Sequence, residues 1–170
     1  MLSLYLQKTL HYSTTQAGLA FLPLTGTFIA SNLVSGWMSG QTGPRGPMVL
    51  GGLIGALGYL LLHGLGARST FLEMLPGFVL IPAGMGLAVP AMTTAILSSA
   101  DRTESGTVSA ALNAARQVGG ALGVAAFGAL VSGATPEQVT SGLSAAGLIA
   151  ASLLTVATAV ARWGIRRVAP

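Results

Sequence analysis

The residues with most chemistry to offer stand in one short run, Asn113-Ala-Ala-Arg116-Gln117. Arg116 carries a permanent charge and five N–H donors. Asn113 sits one helical turn earlier on the same side and Gln117 is adjacent, so the three form a local polar patch. Two roles fit. Arg116 is a cavity-lining cation on a path for solutes, or a structural arginine bonded to carbonyls that neighbouring broken helices set free. The titratable groups are few. Of the four acids, Glu73, Asp101, Glu104 and Glu137, each is expected at a helix beginning, where negative charge suits the helix dipole. No carboxylate is expected at depth, so a proton carrier would lie elsewhere. His11 and His63 read as wet residues near one surface rather than a relay. With no cysteine, no histidine pair and no deep acid, the chain lacks a nucleophile with its base and lacks a metal site. We expect no enzyme, no catalytic residue, no metal and no cofactor. Rings of charge or a filter, as a channel requires, are also missing.

What must hold this patch is an apolar slab. Charged residues are 7% of the 170 and hydrophobic ones 52%, with a mean hydropathy of +0.73. Four acids and eight bases cannot clothe a water-soluble domain of this size. The bilayer is the expected solvent. A net charge of +4 does not point to nucleic acid, because Arg166-Arg167 is the only adjacent basic pair and no aromatics interleave with the bases. The N-terminus has neither the basic start nor the cleavage site of a signal peptide.

A crossing helix needs about 20 apolar residues. Cutting at the charges predicts an all-α, polytopic membrane protein of about five spans, near 14–40, 47–66, 71–99, 102–132 and 136–163. Residues 1–13 read as the end of a preceding helix and an outer loop, followed by the bundle over 14–170. Ser13-x-x-Gln16, Thr70-x-x-Glu73, Asp101-x-x-Glu104 and Thr135-x-x-Gln138 have capping-box spacing at four of the starts. Pro136 suits a first helical position, and Gly46-Pro47 gives the second span a similar start. One set of loops and ends collects Arg45, Arg102, Arg162, Arg166 and Arg167, the other Lys8 and Arg68. The first set is therefore expected in the cytoplasm, with the N-terminus outside and the C-terminus inside.

The third span carries Pro76, Pro82 and Pro90, and the first carries Pro23. Pro23, Pro82 and Pro90 are candidate kinks, whether static or gating. The second span (Gly51, Gly52, Gly55, Gly58) and the fourth (Ala110, Ala114, Gly119, Gly120, Gly123) have small residues at close-packing spacing. Gly119, Gly120 and Gly123 are the candidate packing residues of the fourth. Leucines scattered around the fifth span predict a lipid-exposed helix. Counting from Arg102, Arg116 lies about 20 Å into its helix, near the bilayer centre, where an arginine costs about 2.5–3.5 kcal/mol on insertion scales.

Three stretches resemble the major facilitator superfamily, in particular its fourteen-span drug:proton antiporter branch. LYLQKTLHYSTTQAGLAFLP (4–23) is similar to an outer loop and span entry of that family's C-terminal half. SGTVSAALNAARQVGGALGVAAFGAL (105–130) resembles its penultimate span, including Asn113, Arg116, Gln117, Gly119 and Gly120. SGWMSGQTGPRGPMVLGG (35–52) resembles the second, degenerate copy of its cytoplasmic loop motif at Gly36, Gly43 and Arg45, with Gly40 at the motif's acidic position. The resemblance implies a C-terminal fragment, the last five spans of a longer plasma-membrane efflux transporter. Its partners would be the lipid bilayer, the missing N-terminal helices, a small amphipathic substrate and protons, and it would be inactive alone. The rival reading is a non-transporting membrane scaffold or truncated orphan.

Overall fold

The structure, a computed structural model, describes residues 13, 15, 18, 22–63, 71–101, 103–130 and 136–164, without the side chains of residues 71, 136, 137, 139 and 140. Among the described residues five helices follow one another: α1 (Leu22–Thr42), α2 (Arg45–His63), α3 (Phe71–Ser98), α4 (Ser105–Leu130) and α5 (Pro136–Gly164). The fold is an all-α membrane fold. Arg45–His63, Leu72–Ser98 and Ser141–Gly164 are each long and apolar enough to cross a bilayer. α1 and α4 are long enough too, but their glycines, serines and amides dilute the apolar content.

Local chemistry sets the ends. α1 stops because Gly43 adopts φ 80°, the left-handed region open to glycine. Its N–H bonds the Ser39 carbonyl at 3.1 Å, and Thr42 Oγ1 donates to the Met38 carbonyl at 3.0 Å. Two residues later α2 has begun, its first bond running from Met48 N–H to the Pro44 carbonyl at 3.2 Å. The expected start at Pro47 is thus two residues late. Pro47 instead occupies the first turn, where its missing N–H still costs nothing. A second correction concerns Asp101. The Glu104 N–H bonds the Asp101 carbonyl at 2.9 Å in a turn, and Val108 N–H then reaches Glu104 at 3.0 Å. α4 therefore starts at Ser105, three residues after the expected Arg102. Glu73 lies in the first turn of α3. The expected caps at Gln16, Thr70 and Thr135 lie outside the described residues.

α2 is the axis of the bundle. A Cβ placed on Gly51 would meet the Gly84 carbonyl of α3 at 2.5 Å and Ala88 N at 2.7 Å. One on Gly84 would meet the Gly51 carbonyl at 2.5 Å and Gly55 Cα at 2.7 Å. Further along, Gly58 approaches Ile81 and Gly77 approaches Leu62, as antiparallel neighbours require. On its other side α2 receives α5: Gly52 lies against Thr158, Gly55 against Leu154, and Gly147 against the Tyr59 carbonyl. α1 lies on α3, where Ser35 Oγ, fully buried, donates to the Leu87 carbonyl at 2.6 Å. Gly86 of α3 sits against Phe28 and Ser31.

The core is built from small residues. Ala56, Ala91, Ala146, Ala151 and Ala161 are buried, and the largest fully buried side chains are Pro47 and Ser35. Large residues point outward, Leu33, Leu53, Leu153 and Trp163 among them. This inverts the arrangement of a water-soluble protein. Lipid tails solvate leucine as well as a core would, so burial brings no gain and close backbone approach decides packing. The expectation of a lipid-exposed fifth helix needs correcting on this ground. α5 turns Leu148 and Leu153 out, but Leu154 packs on α2, and its small face, Gly142, Ala146, Gly147, Ala151 and Thr158, is buried, part of it against α2. α4 is the outlying helix, with no buried residue.

These contacts separate two kinds of glycine. Gly84→Val should force α2 and α3 apart and destabilise the 170-residue chain by about 2–3 kcal/mol. Gly119→Ala, which adds a methyl into open space, should change stability by no more than about 1 kcal/mol, in the favourable direction. Unfolding the purified chain in mixed micelles by detergent titration compares the two. Equal losses would contradict the packing described.

Candidate functional site

α4 brings Arg116 to the middle of a 26-residue helix. From Ser105 the residue is about 17 Å along at 1.5 Å per residue, somewhat nearer the start than the count from Arg102. Its side chain crosses to α3, where Nη2 donates to Thr93 Oγ1 at 2.5 Å. Thr93 in turn donates to the Val89 carbonyl at 2.9 Å. The link runs from guanidinium to hydroxyl to backbone oxygen. It tethers two helices that otherwise touch little. A hydroxyl on the proline-bearing helix therefore receives Arg116, rather than a proline-freed carbonyl. One of five donors is engaged, and the residue remains exposed in this chain.

The rest of the patch is arranged differently. Asn113 and Gln117 are exposed and make no hydrogen bond among the described residues. They sit around the helix from Arg116, on a flank that no other described helix covers. Nothing lies within 4 Å of a Cβ added at Gly119, Gly120 or Gly123. These glycines pack against none of the described helices. α3 runs as one helix through Pro76, Pro82 and Pro90. Thr94 Oγ1 folds back on the Pro90 carbonyl at 3.1 Å. The Pro23 carbonyl likewise accepts from Thr27 Oγ1 at 2.7 Å.

Thr93 went unnoticed in the sequence. The one signal was a pair of hydroxyls, Thr93-Thr94, in an otherwise apolar helix just after Pro90. One residue earlier, Met92 lines a cavity of about 530 Å³ between α2, α3 and α5, together with Met48, Ile96, Ala157 and Val160. Its wall is mostly apolar, and the two thioethers can adapt to different shapes. At the far end of α2, His63 Nδ1 lies 2.5 Å from Ser144 Oγ, which also donates to the His63 carbonyl at 3.2 Å. His63 thus ties α2 to α5. His11 lies outside the described residues.

The Arg116–Thr93 link is measurable. Single substitutions Arg116→Met and Thr93→Val, combined in a double-mutant cycle on the purified chain, should show a coupling of about 0.6–1.7 kcal/mol, the range of interhelical hydrogen bonds in membrane proteins. Strict additivity would mean the two side chains do not meet.

Comparison with known proteins places this arrangement. Residues 1–124 match the family model described as Major Facilitator Superfamily. The chain is 40% identical over 139 residues to the puromycin resistance protein of Streptomyces alboniger, covering 79% of this chain and 27% of that protein. It is 34% identical over 128 residues to the tetracenomycin C resistance and export protein of Streptomyces glaucescens, covering 75% and 24%. With the probable actinorhodin transporter of Streptomyces coelicolor it shares 31% over 145 residues, covering 83% and 25%. No solved structure matches. The chain spans about a quarter of the length of these relatives. The family match, which takes in α1 to α3 and the Arg116 patch, shows that the chain belongs to the major facilitator superfamily of membrane transporters.

Proposed function

We propose that the chain is the C-terminal part of a proton-coupled efflux transporter for drugs or other small amphipathic molecules, and that it does not transport by itself. The observation that carries this reading is the state of α4. A mid-helix arginine with two carboxamides lies on a helix that the other four described helices barely touch, beside glycines that meet nothing among the described residues. In lipid such a face is costly. It becomes favourable against a water-filled path or further helices, and relatives about three times as long as this chain, two of them named for resistance, have the length for such helices. On this reading Arg116, Asn113 and Gln117 line the substrate path, and Gly119, Gly120 and Gly123 admit helices from the rest of the transporter. Pro23, Pro82 and Pro90 bend the helices around that path. The Met48–Met92 cavity receives apolar parts of a substrate.

All five helices cross the plasma membrane in this proposal. The end bearing Arg45 and Arg162 faces the cytoplasm, and the N-terminus faces outward. The four acids lie near helix beginnings, so the proton is carried by the part of the transporter that precedes this chain.

Co-expression tests the proposal. The chain alone should confer no drug resistance. With the N-terminal spans of a close relative supplied as a second polypeptide, resistance and dye efflux should appear. Arg116→Ala should then reduce efflux at least about tenfold at equal membrane abundance, and Arg116→Lys should fall between, since lysine keeps the charge but not the fork of donors. Efflux by the chain alone, or full efflux by Arg116→Ala, would refute the corresponding part.

A further inference from the structure

At the opposite face of α2 from α3, where α2 begins and α5 ends, lies a second cavity of about 350 Å³. Two arginines border it, Arg45 at the first residue of α2 and Arg162 in the last turn of α5. Val49, Leu50 and Leu53 form its apolar side, with Thr42 at the rim. Among the described residues no carboxylate lines it.

Arg45 is held in place by its own bond. One Nη2 donates to the Arg162 carbonyl, satisfying an acceptor at the negative end of α5. A guanidinium has five donors, so most of this one is left for the cavity. The first turn of α2 adds the positive end of a second helix dipole. Two arginines and a helix start border one space, with no acid among its described lining residues.

The apolar side gives the direction of the ligand. Leu50 and Leu53 are exposed and open a ridge that continues along α2 through Leu57, Leu60 and Leu61, all of them exposed. Leu50, Leu53 and Leu57 are three to four residues apart, and Leu60 and Leu61 both lie three to four residues beyond Leu57, so the ridge runs down one helix face. At the cavity level Trp163, 82% exposed, adjoins Arg162 and marks a headgroup layer, where tryptophan rings favour the interface. The pattern is a cationic cup at headgroup depth above an apolar track one acyl chain wide.

We propose that this cup is a binding site for an anionic phospholipid, its phosphate held between Arg45 and Arg162 and one acyl chain lying along Leu50, Leu53 and Leu57. Basic pockets between membrane helices select anionic headgroups in this way. The site would fix the α2–α5 pair at one membrane face, on the lipid-facing side and away from Arg116. The proposal rests on the membrane fold and not on efflux, so it stands or falls separately from the transport reading.

The test uses the purified 170-residue chain. Native mass spectrometry after incubation with phosphatidylglycerol or phosphatidylcholine should show one tightly retained phosphatidylglycerol, preferred over phosphatidylcholine by about tenfold or more, as two arginines near a headgroup imply. Arg45→Gln with Arg162→Gln should abolish the preference. Trp37→Phe leaves Trp163 as the sole tryptophan. In bilayers of that variant, brominated phosphatidylglycerol should quench Trp163 beyond its mole fraction, and brominated phosphatidylcholine should not. Equal retention of both lipids by the unsubstituted chain overturns the proposal even if the double variant fails to fold. Displacement of the lipid by equimolar inorganic phosphate also overturns it, in favour of a free-anion site.

Discussion

The bundle depends on how closely two backbones approach at Gly51 and Gly84. Each would need room for a Cβ where the other helix already has a carbonyl, so α2 and α3 lie nearer than any side chain would permit. In water a leucine seam would hold such a pair by expelling solvent. In a bilayer that force is absent, and dispersion between backbones with nothing between them takes its place. The inverted core follows directly. Alanine, glycine and serine go inside because they thin the gap, and leucine and tryptophan go outside because lipid accepts them. α2 can serve two neighbours because its glycines point two ways, Gly51 and Gly58 toward α3, and Gly52 toward Thr158 of α5.

The same rule explains why α4 stands apart. Its glycines have the spacing that α2 uses, yet they touch nothing in this chain. A small-xxx-small pattern permits approach without attracting any particular partner. Attraction needs a complementary surface on another helix, and the neighbours α3 and α5 offer their small faces elsewhere, to α1 and α2. The pattern was legible in the sequence as a packing surface. Its partner was not, because two helices with the same motif differ only in what faces them. α5 misled for the converse reason. Its leucines were conspicuous, while the face that packs was written in Gly142, Ala146, Gly147 and Ala151, which look like filler.

Helix ends were legible where the backbone itself dictates them. Gly43, followed by Pro44, closes one helix and opens the next with few alternatives. At Asp101 the reading slipped because two acids three residues apart both suit a cap. The choice between them is made by which carbonyl accepts the first helical bond, and that is Glu104. That Arg116 stands well inside its helix could be counted from charges alone. Thr93 could not be found that way, since a threonine hydroxyl in a helix ordinarily bonds back to its own turn, as Thr94 and Thr155 do here. Thr93 does this too and still has a lone pair to spare.

That spare acceptor shapes the seam between α3 and α4. Many atoms hold α2 to α3, none of which can let go singly, because separating two glycine faces loses the whole contact at once. One hydrogen bond from an exposed arginine holds α4 to α3. A charged donor exchanging a hydroxyl for water or for a solute's oxygen loses little, since the bond it gains resembles the bond it gives up. The rigid pair and the exchangeable seam therefore both lie on α3, and Pro90 falls between them along the chain. In a transporter whose parts must rock about a central site, the seam that can part at least cost is the one made of polar contacts. On the proposed reading, the arginine that is costly in lipid is what keeps α4 ready to change partners.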